Sequence, residues 1–173
     1  MSKIIDKDSY QTPRPLFSLL HSRFNFTADV AASDNNHLLP AYLTKEDNAL
    51  ITPWRMMCPA GGYVWCNPPY SKVAPWVSKA SHERNNGVGT VMLVFCDPSS
   101  SWYSEAVETA DEIWHVVRGR ISFINPQTGK KAGGNDRPSM IIVWYPHGGQ
   151  SPVKSNYVTR NSLCAGQKLE FLL

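Results

Sequence analysis

The four cysteines, Cys58, Cys66, Cys96 and Cys164, show no Cys-x-x-Cys spacing. Structural zinc sites normally draw on such close pairs, so no metal centre is expected. Cys66 and Cys96 sit instead in apolar runs, where cysteine behaves as a small buried hydrophobe. His21, His37, His82, His115 and His147 never cluster with a nucleophile or an acid, which weakens triad and metal readings. No apolar run approaches the ~20 residues that span a bilayer. Met1 to Tyr10 is polar and charged, so no secretory signal is expected and the cytoplasm is the expected address. Internal repeats and low-complexity blocks are lacking too.

What is there suits one folded unit. A chain of 173 residues, 42% hydrophobic and 18% charged, can bury a proper core and shows no sign of disorder. A single domain over 1–173 is expected, with its core at about 10–146 and a polar tail at 147–173 from which little is read. The net charge of +3 is uneven. Residues 1–114 hold nine Lys/Arg against twelve Asp/Glu, whereas 115–173 hold eight against only Asp136 and Glu170. A basic half of this kind is a candidate polyanion surface, or simply a solvated face.

The stretch Gly62-Tyr-Val-Trp-Cys-Asn-Pro-Pro-Tyr-Ser71 organises the rest. Tyr63 to Cys66 reads as a short buried strand. Asn67 opens a turn that Pro68 and Pro69 stiffen, because each ring fixes φ and removes an N–H. Pro68 also drives Asn67 out of the helical region. A carboxamide, a neighbouring carbonyl and the Tyr70 ring are thereby held at the carboxyl end of a strand, the edge where open α/β sheets bind ligands. This suits attack by an exocyclic amine on a flat heterocycle, a poor nucleophile whose lone pair is delocalised. The Asn67 side chain and the Pro68 carbonyl can accept its two hydrogens and stabilise the charge that develops. Tyr70 can stack on the ring.

Around that centre the chain alternates. Apolar positions 16, 17, 20 and 24 predict a helix, with Thr12 before Pro13 as its entry signal. Asn25 to Ser33 reads as a first strand ending near Asp29, followed by the small residues Ala31 and Ala32. Val73 to Arg84 predicts an amphipathic helix, and Gly87 to Cys96 a buried strand. The loop 97–103 then leads into a helix from Tyr103 to about Ala110. Trp102 or Tyr103 could line a base pocket, although packing on the core is the simpler reading. Glu112 to Val117 predicts another strand. Arg118 to Ile124 and Ser139 to Tyr145 read as an antiparallel pair, joined by a glycine-containing basic loop at 125–137. Arg118, Arg120, Lys130, Lys131 and Arg137 are the phosphate-contact candidates, because basic loops at an edge often grip phosphates.

Asn67-Pro-Pro-Tyr70 is the catalytic tetrapeptide of amino methyltransferases that use S-adenosylmethionine. The longer match is to the phage-type Dam DNA N-6-adenine methyltransferases, which this chain resembles at Tyr10-Gln-Thr-Pro-Arg-Pro-Leu-Phe17, Phe26-Thr-Ala-Asp-Val-Ala-Ala-Ser33, Tyr42-Leu-Thr-Lys-Glu-Asp-Asn-Ala-Leu50, Trp65-Cys-Asn-Pro-Pro-Tyr-Ser71 and Arg118-Gly-Arg-Ile-Ser-Phe123. The resemblance implies a Rossmann-like α/β methyltransferase fold: a mixed, mostly parallel sheet with a terminal antiparallel strand pair and helices on both faces. It implies transfer of a methyl group from S-adenosylmethionine to the N6 amine of a flipped-out adenine in double-stranded DNA, which makes Arg118, Arg120, Lys130, Lys131 and Arg137 DNA-contact candidates. Asn67, Pro68, Pro69 and Tyr70 would be catalytic; Gln11, Thr12, Pro13, Asp29, Asp47 and again Asn67 would border the cofactor. Asp29 would meet the methionyl ammonium and Asp47 resembles the adenine contact, while turn-capping and solvated-loop roles are the alternatives. The usual glycine-rich cofactor loop is replaced by Ala31 and Ala32. Cytosine-N4, protein-glutamine or RNA methyl transfer, or a silent DNA-binding module, are the competing functions. GATC recognition, a host-cytoplasm address and protection of phage DNA from restriction are further implications.

Overall fold

A computed structural model describes residues 7–133, 137–149, 152–165 and 168–172. The part of the basic loop at 134–136 lies outside them. Seven strands, β1 (Ala28–Asp29), β2 (Tyr63–Cys66), β3 (Gly89–Phe95), β4 (Glu112–Val117), β5 (Ser139–Trp144), β6 (Lys154–Thr159) and β7 (Phe171–Leu172), form one sheet. Their order is β1-β2-β3-β5-β4-β6-β7. Five strands run in one direction; β5 and the terminal β7 run against them. The carboxyl ends of β1, β2, β3, β4 and β6 therefore share one edge.

Because side chains alternate across a strand, the continuous apolar run of β3 feeds two cores. Met92 and Val94 pack with Val64, Cys66, Ile142 and Trp144 on one face. That face is covered by α2 (Ala74–Asn85) and α3 (Ser101–Thr109) through Val77, Ala80 and Ala106. Val91 and Leu93 pack with Trp65, Trp114, Ile141 and Val143 on the other face. There α1 (Arg14–Phe24) and α4 (Arg160–Cys164) close the layer through Leu16, Phe17, Leu20 and Leu163. Helices on both faces of a mixed sheet are the expected α/β methyltransferase arrangement. Among the described residues no helix is long and apolar enough to cross a membrane.

Three local expectations differ from the structure. Arg118 to Ile124 does not pair with Ser139 to Tyr145. β5 is inserted between β3 and β4, antiparallel to both, with Met92 opposite Ile142 and Ile113 opposite the same residue. All six β5 residues are buried, which calls for a ladder on each side. The 118–124 segment buries only Ile121 and Phe123, leaving Ile124 half-exposed. Positive φ at Arg118 (56°) and Gly119 (127°) turns it away from the sheet. Second, Thr12 does not cap α1. Pro13 occupies the cap position without a side-chain bond, and the Thr12 hydroxyl is engaged elsewhere. Third, the region after Pro146 adds β6, α4 and β7. β6 lies parallel to β4 although only Val158 of its six residues is buried, so hydropathy gives it no strand signature.

Candidate active site

The site is assembled where β1 and β2 end. The two strands are parallel neighbours with Asp29 opposite Trp65, so Asp29 and Asn67 emerge side by side at the carboxyl edge. Pro68 is buried and Asn67 half-buried. The Asn67 amide nitrogen donates to the Thr12 hydroxyl at 3.1 Å, and Thr12 is only 5% exposed. This bond fixes which way the carboxamide faces. Its oxygen, Oδ1, is buried without a hydrogen-bond partner among the described residues. A buried acceptor left open is costly unless a ligand fills it.

Tyr70, three residues on in the same turn, stands on a wall of aromatic rings. Phe95, at the end of β3, meets it edge-on at 5.5 Å between centroids. Phe123 does the same at 5.8 Å. Burial pushes the Tyr70 phenol well above its ordinary pKa, and its hydroxyl has no partner among the described residues. Ionisation chemistry is thereby closed to it, leaving packing and stacking. The guanidinium of Arg137 lies 4.6 Å over the Phe95 ring, which ties this basic residue to the same wall. On the far side of the turn, Asp8 accepts from the Ser71 N–H at 3.1 Å and from the Ser71 hydroxyl. The amino-terminal segment thus holds the turn at both ends, through Thr12 and Asp8.

Asp29 is 4% exposed. Its carboxylate accepts from the Leu38 N–H at 3.1 Å and the Ala31 N–H at 3.4 Å. Burial outweighs these bonds and pushes its pKa from 3.8 up to about 6. Asp47 is different. The segment 41–43 runs beside β1, with Leu43 N donating to Asp29 O at 2.9 Å, and delivers Asp47 to the carboxyl edge. There its exposed carboxylate accepts from Thr44 N at 2.7 Å and Thr44 Oγ at 2.8 Å, bonds that hold it below the usual carboxylate range. These are turn-capping contacts, and the structure does not join Asp47 to the other acids.

Gln11 exchanges backbone hydrogen bonds with Ile124 at 2.9 Å in each direction. Gln11, Thr12 and Pro13 together line a cleft of about 490 Å³ with residues 35–38 and with Ser122, Lys131 and Arg160. Thr12 links this cleft to Asn67, and Leu38 links it to Asp29. Its volume is that of a small-molecule site. Arg118, Arg120, Lys130, Lys131 and Arg137 are all exposed. The lysines sit on a hairpin closed by Asn125 N–Lys130 O at 2.8 Å and Ala132 N–Phe123 O at 2.7 Å. Trp102 is buried against Phe95 at 5.6 Å and belongs to the core; Tyr103 is half-buried against the same cluster.

Three contributors are not legible in the sequence: Asp8, Phe95 and Arg160. Phe95 carries no signal beyond being apolar, whereas Phe123 falls in a block that carries the family resemblance. Asp8 lies in a segment that is merely polar, and Arg160 in the polar tail.

A family model described as DNA N-6-adenine-methyltransferase (Dam) matches residues 2–169. A protein of Haemophilus phage HP1 (strain HP1c1) named DNA N-6-adenine-methyltransferase is 33% identical over 165 residues, covering 94% of this chain and 92% of its own. A second protein of that name, from Escherichia phage T1, is 29% identical over 177 residues, covering 94% of this chain and 73% of its own.

Proposed function

This chain belongs to the DNA N-6-adenine-methyltransferase (Dam) family, and from that premise we propose how its own residues carry methyl transfer to the N6 amine of adenine in DNA. Family membership sets aside the cytosine-N4, protein, RNA and silent-module alternatives. The observation that carries the assignment of roles is the buried, unpartnered Oδ1 of Asn67, aimed by the bond from its amide nitrogen to Thr12.

Oδ1 accepts one hydrogen of the adenine amine, and the Pro68 carbonyl accepts the other. Both oxygens pull the nitrogen toward tetrahedral geometry and stabilise the positive charge that grows on it. Tyr70 stacks on the purine. An adenine inside a duplex cannot reach these groups, so double-stranded substrate requires the nucleotide to rotate out of the helix, with unstacking offset by the new contacts. No strong general base is needed, because the amine proton becomes acidic once the fourth bond has formed.

We assign S-adenosylmethionine as the methyl donor. When bound it supplies an electrophilic methyl on a sulfonium, and the protein supplies orientation and charge. The residues present fit it: Asp29 is a buried carboxylate with no cation bound to it among the described residues, suited to an ammonium group. Gln11, Thr12 and Pro13 are proposed as the adjoining wall and Asp47 as a peripheral contact. The folded unit is taken to run to residue 172, since β6 and β7 complete the sheet. The test is transfer of a labelled methyl group onto unmethylated DNA, followed by digestion to nucleosides. N6-methyladenine is expected; a different modified nucleoside would overturn the reading.

A further inference from the structure

We propose that Arg160 is the partner of the cofactor's methionyl carboxylate, a binding role supplied by the segment that follows β6; this rests on the proposed placement of S-adenosylmethionine in the cleft beside Thr12. An amino-acid end carries its ammonium and its carboxylate on the same carbon. Wherever Asp29 receives the ammonium, a second carboxylate therefore arrives beside it. Two carboxylates side by side repel, and partial burial makes that repulsion stronger than in water. A fixed cation on the incoming carboxylate removes the cost. Leu38, whose N–H donates to Asp29 at 3.1 Å, lines the same cleft as Arg160, so Asp29 stands one hydrogen bond from the space that Arg160 borders. Asp29 and Arg160 together match a zwitterion, which neither does alone.

The cleft is suited to an anion. Its ionisable lining residues are Arg14, Lys131, Arg160, His37 and Cys164, and no carboxylate is among them. Arg14 and Lys131 are exposed, whereas Arg160 is half-buried and forms no ion pair among the described residues. Burial pushes the Cys164 thiol up, and Arg160, more than Lys131, draws it back down. The field of the guanidinium therefore reaches into the cleft. The side chain is also ordered in advance. Its Nη2 donates to the Asn161 side-chain oxygen at 2.8 Å. A Cβ at residue 119 would come within 2.9 Å of its Nε, and glycine there also adopts a φ of +127°. The turn after β4 thus leaves the room that the guanidinium occupies. Nε is buried without a partner among the described residues, so the protein leaves part of this cation unsatisfied. A planar guanidinium is well matched to a carboxylate, and one already ordered loses little freedom on binding it. β6 runs parallel to β4, which is what carries Arg160 to the carboxyl edge.

The test is calorimetric titration of the full chain with S-adenosylmethionine, with its decarboxylated form and with 5′-methylthioadenosine, which lacks the amino acid. Arg160→Gln, Arg160→Lys and Asp29→Asn are titrated alongside, with thermal melts to match their folding. The unchanged protein should prefer S-adenosylmethionine to the decarboxylated form by about tenfold or more, the value of a charge-assisted hydrogen bond. Arg160→Gln should lose that preference. Its affinity for S-adenosylmethionine should fall about tenfold, while the other two ligands bind within about twofold of before. Arg160→Lys keeps the charge and should retain part of the preference; Asp29→Asn should weaken both amine-bearing ligands. The salt slope of DNA binding should be the same in Arg160→Gln as in the unchanged protein. Equal weakening of all three ligands by Arg160→Gln would overturn the proposal in favour of a structural role. A flattened salt slope with cofactor binding unaltered would overturn it in favour of a DNA phosphate. Intact S-adenosylmethionine binding in Arg160→Gln beside a loss in Asp29→Asn would overturn it and leave the cofactor's placement standing. Failure of every one of these proteins to bind S-adenosylmethionine would overturn both.

Discussion

At the scale of single residues, the chemistry depends on one carboxamide facing one way. The tetrapeptide Asn67–Tyr70 is legible in the sequence through the family resemblance that it carries. The bond that orients it is not: Thr12 is 55 positions away, and next to a proline it looks like a helix cap. Thr12→Val keeps the shape and removes the acceptor. It should lower kcat about tenfold, the value of one hydrogen bond worth roughly 1–1.5 kcal/mol, with a smaller loss of cofactor affinity from the altered wall; Thr12→Ser should recover most of both. Single-turnover rates and calorimetry separate these outcomes. Asp29 makes a second prediction. Its folded pKa of about 6 lies above the ordinary 3.8. The folded protein therefore keeps a proton that the unfolded chain has released between those values. This group's contribution to stability falls as pH rises through that window, by up to about 3 kcal/mol, and is level above it. An ammonium ligand prefers the ionised form, so S-adenosylmethionine should bind more tightly as pH rises from 5 to 7. Calorimetry on Asp29→Asn should show that dependence abolished.

At the scale of elements, legibility follows hydropathy. The strand from Glu112 to Val117 and the one from Tyr63 to Cys66 have the ends their apolar patterns suggest. β5 is visible in the sequence as a strand, but its neighbours are not. Pairing is decided by which flanking ladders are free, and a strand buried on all six residues takes the gap between β3 and β4 rather than the next segment in sequence. β6 is invisible because five of its six residues are not buried. Its place beside β4 means that it covers Trp114 and Val116 together with Val158, Leu163 and Phe171. A chain ending at Pro146 would expose this cluster. At roughly 1.5–3 kcal/mol for each large apolar side chain, the destabilisation is comparable with the ~5–15 kcal/mol that stabilises a typical domain. Such a truncation should abolish the cooperative thermal transition; a melt like that of the full chain would show the 154–172 region to be dispensable.

At the scale of the whole molecule, the uneven charge in the sequence acquires a location. Arg118 and Arg120 follow β4, Arg137 precedes the antiparallel β5, and Arg160 follows β6. Strand direction brings all four to the edge that carries Asn67. Composition alone does not distinguish this from a diffuse basic face, since it holds no strand directions. Replacing both Lys130 and Lys131 by Ala should weaken DNA affinity and flatten its salt dependence by about one unit of slope for each phosphate no longer neutralised; an unchanged slope would remove the hairpin from the DNA surface. The most direct test of the central claim is single-turnover methyl transfer by Asn67→Ala, with cofactor and DNA binding measured on the same protein. Binding within a few-fold of wild type and transfer slowed by ~10²-fold or more is the predicted result. Transfer within a few-fold of wild type would contradict the role given to the Asn67 oxygen.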